Sequence, residues 1–194
     1  MKYIFSLILL GGLSGGSVPA KADIPTVAHV DLQKYLGKWY EVASIPQSFQ
    51  KQCVGNSTAE YSWAENELIR VLNSCDTAKG TRSVAEGRAR VEDPASNAKL
   101  KVTFVKLIDW VFALGGKYWI LDLAPDYSYA LVGEPRLKYA WVLSRSPQVG
   151  VDLYRTAEQK LRSLGYDTCT VLTSVQTGGT RERRPLCEVV KETP

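Results

Sequence analysis

Short runs in which apolar and polar residues alternate fill most of this chain, with Pro, Asp, Asn and Gly between them. Such a period of two predicts strands rather than helices. Lys38 to Ile45 is aromatic and apolar and stops before Pro46. Ser57 to Trp63 meets Leu68 to Asn73 across Ala64-Glu65-Asn66-Glu67, a hairpin signal. Arg82 to Glu92 ends at Asp93-Pro94-Ala95-Ser96-Asn97, a strong turn. Lys99 to Lys106 alternates cleanly, with Leu100, Val102 and Phe104 on one face and Lys101, Thr103 and Val105 on the other. Lys117 to Leu123, Ser128 to Val132 and Tyr139 to Arg145 complete eight strands. Eight antiparallel strands at even spacing predict a closed barrel or a sandwich. Closure removes exposed edges, and eight strands leave an interior wide enough for one small ligand.

The period changes after Ser146-Pro147. Val151, Tyr154, Ala157, Leu161 and Leu164 recur at helical spacing, and Gly165 stands where a helix C-cap belongs. One apolar face predicts a helix packed outside the barrel. Thr168 to Val175 reads as a final strand, and the stretch beyond it as a loop-like tail.

The first segment has another pattern. Met1-Lys2 is a short positive start, Tyr3 to Leu13 is apolar, and Ala20-Lys21-Ala22 is a small-x-small cleavage site. This is the layout of a secretory signal peptide over residues 1–22, and its apolar run is too short to span a bilayer. No cysteine lies near the cut to accept a lipid. The mature chain is therefore expected to start near Asp23, exported and soluble, periplasmic or secreted. The 194 residues suffice for one domain with a real core. Hydrophobic residues at 45% and charged residues at 23% are ordinary for a globular protein. The net charge of +4 falls to +2 once Lys2 and Lys21 are removed, too balanced for a nucleic-acid partner.

Four cysteines, Cys53, Cys75, Cys169 and Cys187, predict two disulfides in an exported chain. Their spacing lacks the pairs of a zinc site, and His29 is the single histidine, so neither a metal nor a cofactor is expected. Cys53–Cys75 with Cys169–Cys187 is favoured because each link closes a short loop. A Cys53–Cys187 link tying the tail to the wall is the rival.

Three motifs carry a resemblance. Gly37-Lys38-Trp39-Tyr40-Glu41-Val42-Ala43 opens the first strand. Leu123-Ala124-Pro125-Asp126-Tyr127 precedes Tyr129-Ala130-Leu131-Val132. Trp141-Val142-Leu143-Ser144-Arg145-Ser146-Pro147 precedes the helix. In this order and spacing they resemble the lipocalins, most of all the bacterial outer-membrane and apolipoprotein D branches, over Leu32 to Gln176. The resemblance implies an all-β fold: an eight-stranded antiparallel up-and-down β-barrel, or calyx, with one C-terminal helix outside. The domain would cover residues 23–176 with its helix about 148–164, and residues 177–194 would be an extension. The resemblance makes Gly37, Trp39 and Arg145 structural, with Trp39 closing the narrow end and the Arg145 guanidinium across its indole. It differs from close bacterial relatives in lacking a lipid-accepting cysteine.

Its implied function is to bind and to transport or store a small hydrophobic ligand, a fatty acid or lysophospholipid, in the lumen. Tyr61 and Trp141 face the cavity by match to relatives, and alternation adds Ala59, Leu143, Val102 and Phe104. The mouth is expected from loops 46–51, 74–81, 106–116 and 134–138, where Lys51, Lys106, Arg136 and Lys138 stand ready to meet a head group. Leu107 to Gly116 is mostly apolar in a place expected to be exposed. Trp110 and Phe112 in it are assigned to ligand contact, as a lid on the mouth or as a peripheral contact with a membrane. A monomer or weak dimer is expected. No catalytic residue is predicted, since no Ser-His or Cys-His pair is available. The alternatives are a lipocalin-type enzyme using a free cysteine and a protein-interaction module using the 107–114 loop.

Overall fold

The computed structural model describes residues 24–191; the expected signal peptide, residues 1–22, lies outside the described residues. The strands are β1 (Gly37–Ser44), β2 (Cys53–Trp63), β3 (Ile69–Thr77), β4 (Arg82–Val91), β5 (Lys99–Thr103), β6 (Gly116–Leu123), β7 (Tyr129–Gly133), β8 (Ala140–Ser144) and β9 (Leu172–Thr173). The helices are α1 (Leu32–Tyr35), α2 (Val151–Ser163) and α3 (Leu186–Val189). The sheet runs β2-β3-β4-β5-β6-β7-β8-β1-β9, and pairing of β1 with β2 closes the first eight strands into a barrel.

Two of the expected strands come out shorter. β5 stops at Thr103 because the Thr103 hydroxyl donates to the Val111 carbonyl at 3.0 Å, and the Val105 and Val111 backbones meet as the chain doubles back. The last strand shrinks to two residues because β1 offers it only Ala43 and Ser44. β2 already occupies Gly37 to Tyr40.

Alternation sorts the side chains into two layers. Trp39, Ala59, Tyr61, Val71, Ile120 and Leu143 pack inside the barrel. Outside, Tyr154, Ala157 and Leu161 of α2 pack on Val42, Leu121, Leu131 and Val142. α2 ends in a Schellman motif: Tyr166 N–H donates to the Leu161 carbonyl and Gly165 N–H to that of Arg162, with Gly165 at φ +91.

The narrow end closes around Trp39, which is fully buried and donates from its indole to the Tyr35 carbonyl at 2.8 Å. The Arg145 guanidinium lies 3.7 Å from the centre of the Trp39 ring. It donates to the carbonyls of Lys34, Tyr35, Leu36 and Lys38 at 2.7–3.2 Å. Gly37, at φ +90, keeps the chain in a turn that brings these carbonyls together. The disulfides are Cys53–Cys75 and Cys169–Cys187, so the rival Cys53–Cys187 link is not made. No thiol is left for the catalytic alternative, because these are all four cysteines of the chain.

Replacing Arg145 with Ala removes charge-assisted bonds to five carbonyls, that of Tyr127 included, and a cation over an aromatic face. Thermal unfolding should show a loss of about 3 kcal/mol. Arg145→Lys should restore only part of it, since one ammonium cannot serve a fan of acceptors.

Candidate functional site in the calyx

Two spaces along the inner wall differ in chemistry. The lower is nearly full: about 10 Å³ remains between Tyr35, Tyr61, Ile69, Leu100, Val102 and Tyr118. That is room for a single water. Its polar feature is a chain of tyrosines. The Tyr118 hydroxyl bonds that of Tyr35 at 2.8 Å and that of Tyr61 at 3.0 Å. Burial disfavours the charged phenolate at each. It pushes Tyr61 up to about 12 and holds Tyr35 and Tyr118 well above the ordinary tyrosine range.

The upper space is a cleft of about 240 Å³ at the mouth, against the inner face of β1. Its wall has an unusual construction. β1 and β2 pair only from Gly37 to Tyr40, then part towards the mouth. β9 and the tail fill the gap. Asn56 N–H donates to the Val175 carbonyl, and Thr173 N–H to that of Arg184. Arg183 reaches across to the Cys53 carbonyl at 2.8 Å. Glu41, Ser44, Ser57, Ser174, Lys51 and Arg183 border the cleft. Glu41 pairs with Leu143 across the sheet and so points inward. Its carboxylate accepts from Ser44 and Ser174 hydroxyls at 2.9 Å each and from the Gln50 amide at 3.0 Å.

The expected site residues fall into three groups. Tyr61 and Val102 line the lower space. Ala59 and Leu143 face inward and are buried. Trp141 pairs with Ser44, which puts it on the inner face near the cleft, and its ring stacks on Tyr139 with centroids 5.9 Å apart. Phe104 lies over Gly87, where a Cβ would meet its ring at 2.8 Å, and is 44% exposed at the rim. Trp110 and Phe112 require a correction. They lie on the outer wall, beneath the guanidinium groups of Arg88 and Arg90, each 4.7 Å from the ring centre. Arg88 and Arg90 alternate with the inward Ala89, and this stacking holds the loop away from the lumen. The large apolar side chains that the loop leaves to solvent are Leu107, Ile108 and Leu114, with Asp109 exposed beside them. Of the mouth cations, Lys51 borders the cleft, while Lys106 sits over Trp110 outside.

A family model for a lipocalin-like domain matches residues 30–176, most of the chain. The chain is a lipocalin. Temperature-induced lipocalin-1 of Arabidopsis thaliana is 37% identical over 149 residues, covering 76% of this chain and 80% of its own length. The outer membrane lipoprotein Blc of Vibrio cholerae is 34% identical over 170 residues, covering 87% and 95%. Apolipoprotein D of Rattus norvegicus is 35% identical over 161 residues, covering 78% and 80%. Among solved structures, insecticyanin of Manduca sexta superposes with a TM-score of 0.63 at 22% identity, covering 86% of this chain and 95% of its own, a likeness of fold.

Sequence reasoning overlooked Glu41 as a site residue of this lipocalin, although parity with Trp39 two residues earlier marks it as inward. Asn73 was overlooked too. It pairs with Ala59, so it faces the lumen, and its buried side-chain oxygen has no hydrogen-bond partner among the described residues.

The tyrosine chain has a measurable signature. A phenol held neutral by the fold contributes stability in full below its ordinary value of 10.0 and loses it as pH rises through about 12. Tyrosinate absorbance during alkaline titration should therefore show a set of tyrosines that ionise only as the protein unfolds in that window. Tyr118→Phe, which strips both neighbours of their partner, should lower stability by about 1–2 kcal/mol.

Proposed function

We propose that this lipocalin binds and carries a single-chain hydrophobic ligand, a fatty acid or a lysophospholipid, in its calyx. The observation that carries the reading is a barrel open at one end, where a 240 Å³ cleft adjoins the inward face that bears Trp141 and Leu143. Each methylene that leaves water for that wall gains about 0.8 kcal/mol, and ordering the ligand costs several. The lower space is filled by Tyr35, Tyr61 and Tyr118, so the tail lies across the upper wall and rim, over Trp141, Leu143 and Phe104. Reaching the floor requires breaking the tyrosine chain. Two disulfides support an exported location, because such bonds persist in oxidising compartments. No helix among the described residues is long and apolar enough to cross a membrane.

The exposed tip of the 107–114 loop favours a second role, peripheral contact with a membrane. Ile108 is 101% exposed and Leu107 77%, while Trp110 and Phe112 anchor the loop to the wall. A rigidly held aliphatic tip suits shallow insertion among head groups better than a lid over the mouth.

Two measurements test these readings. Stearate carrying a doxyl quencher should quench intrinsic fluorescence with micromolar affinity, and Trp141→Phe should remove most of the effect. Absence of any quenching refutes the carrier role. Replacing Leu107 and Ile108 together with Ser should reduce cosedimentation with phospholipid vesicles severalfold without changing stearate binding. Unchanged sedimentation refutes the membrane role alone.

A further inference from the structure

The outer wall of β4, β5 and β6 carries a row of cations. Arg90 pairs with Lys101 and Lys101 with Lys117, so three basic residues stand side by side on adjacent strands. All three point outward, because their neighbours Ala89 and Leu100 pack inside the barrel and Tyr118 bonds to Tyr61 there. Side chains in such a row start about 5 Å apart, and like charges directly opposite one another destabilise a sheet. Lys99 widens the patch: it and Lys117 hold their ammonium groups 4.3 and 4.9 Å from the centre of the Trp119 ring. The wall next to it is built differently. There Arg70 pairs with Glu86, Arg82 with Asp76, and Arg88 with both Glu65 and Glu86. In the row itself Arg90 reaches Glu92 at 3.8 Å, whereas Lys101 and Lys117 form no ion pair among the described residues. A chain whose net charge is only +4 has carboxylates enough to pair these lysines as well.

We propose that this outer wall is a docking face for a bilayer of net negative charge, on which the barrel lies side-on. The assignment rests on the membrane reading of the 107–114 loop and adds to it the charge of the surface and the orientation of the protein. Loop and row are one continuous surface, since the Arg90 that begins the row also covers Phe112 of the loop at 4.7 Å. Lys106 stands over Trp110 on the same side. Leu107, Ile108 and Leu114 thus project beside a field of cations, and Asp109 is the single acid of the loop. A nucleic acid or an acidic protein would meet the cations and leave the aliphatic tip in water, whereas an anionic bilayer takes up both. The face is also well placed for a carrier. In the order β2-β3-β4-β5-β6-β7-β8-β1, closed into a ring, β5 lies four strands from β1 in either direction. The row is therefore opposite the cleft beside β1, and docking leaves the mouth uncovered.

The test is cosedimentation with vesicles of phosphatidylcholine and with vesicles of phosphatidylcholine mixed equally with phosphatidylglycerol. The wild type should bind the mixed vesicles about tenfold more tightly, and molar salt should erase the difference as the screening length falls to ~3 Å. Lys101→Glu puts an anion between Arg90 and Lys117, so it should fold at least as well as the wild type. It should weaken binding to the mixed vesicles by about ten- to thirtyfold, because one basic residue near an anionic surface is worth roughly fivefold and the reversal counts twice. Binding to phosphatidylcholine alone should not change. Arg181→Glu, an equal change of charge on the exposed tail across the barrel, should have little effect. Lys101→Gln carries the test, with about a fivefold loss, if circular dichroism shows Lys101→Glu to be unfolded. Equal affinity for the two kinds of vesicle overturns the inference, as do equal effects of Lys101→Glu and Arg181→Glu; both results leave the membrane reading intact. Retention on a sulfated polysaccharide that Lys101→Glu abolishes, without any preference among vesicles, gives the face to a soluble polyanion and also overturns it. If neither kind of vesicle is bound, the membrane reading falls and the docking face with it.

Discussion

Arg145 follows β8 directly, with its guanidinium 3.7 Å from the Trp39 ring centre, and four carbonyls between Lys34 and Lys38 converge on it. Those carbonyls are the loose ends of α1 and of the turn into β1, and the Tyr35 carbonyl also accepts from the Trp39 indole. A guanidinium can serve such a fan because its N–H groups spread in a plane, and the same plane can lie flat on an indole. The contact joins the last strand of the barrel to the first. Closure of the narrow end, the register of β1 against β8 and the inward direction of Trp39 all rest on it. From Trp39 the alternation along β1 then dictates that Glu41 is inward as well.

The two ends of the barrel resolve the problem of an interior in opposite ways. Below, Tyr35, Tyr61 and Tyr118 fill space with rings and satisfy their hydroxyls on one another. This is a low-energy filling because the three hydroxyls satisfy one another. Above, β1 serves three neighbours, β2 near its start and β8 and β9 towards its end. The parting of β1 from β2 makes the cleft, and three of the residues around it are serines. Ser44, Ser57 and Ser174 leave volume that larger side chains would have taken. The lower half is thus spent on stability and the upper half on access, an allocation consistent with a calyx that admits a ligand from one side only.

Much of this was legible from alternation and turn residues. Every barrel strand and the outer helix left a periodic trace, because each buries one face. The ends of elements were less legible, for reasons that lie in tertiary contacts. β5 stops where Thr103 turns its hydroxyl onto Val111, and no local pattern announces that. The 107–114 loop shows where reading by composition fails. Its apolar content suggested one exposed or mouth-covering patch, yet Trp110 and Phe112 spend their faces on Arg88 and Arg90 of a distant strand. Cation–aromatic stacking between segments some twenty residues apart is invisible to any local window. In the site, Glu41 was readable by parity, whereas Arg183 was not. It reaches the rim only because the tail threads between β9 and β2.

That threading bears on how the wall of the barrel is completed. Residues 172–185 furnish part of the barrel wall beside the cleft, and they come after all eight barrel strands in chain order. The eight barrel strands by themselves leave a slit along one side of the rim, where β1 parts from β2. Cys187, bonded to Cys169, then anchors the stretch that fills the slit. One side of the rim is thus completed by a segment that belongs to none of the eight strands and that a covalent bond holds in place.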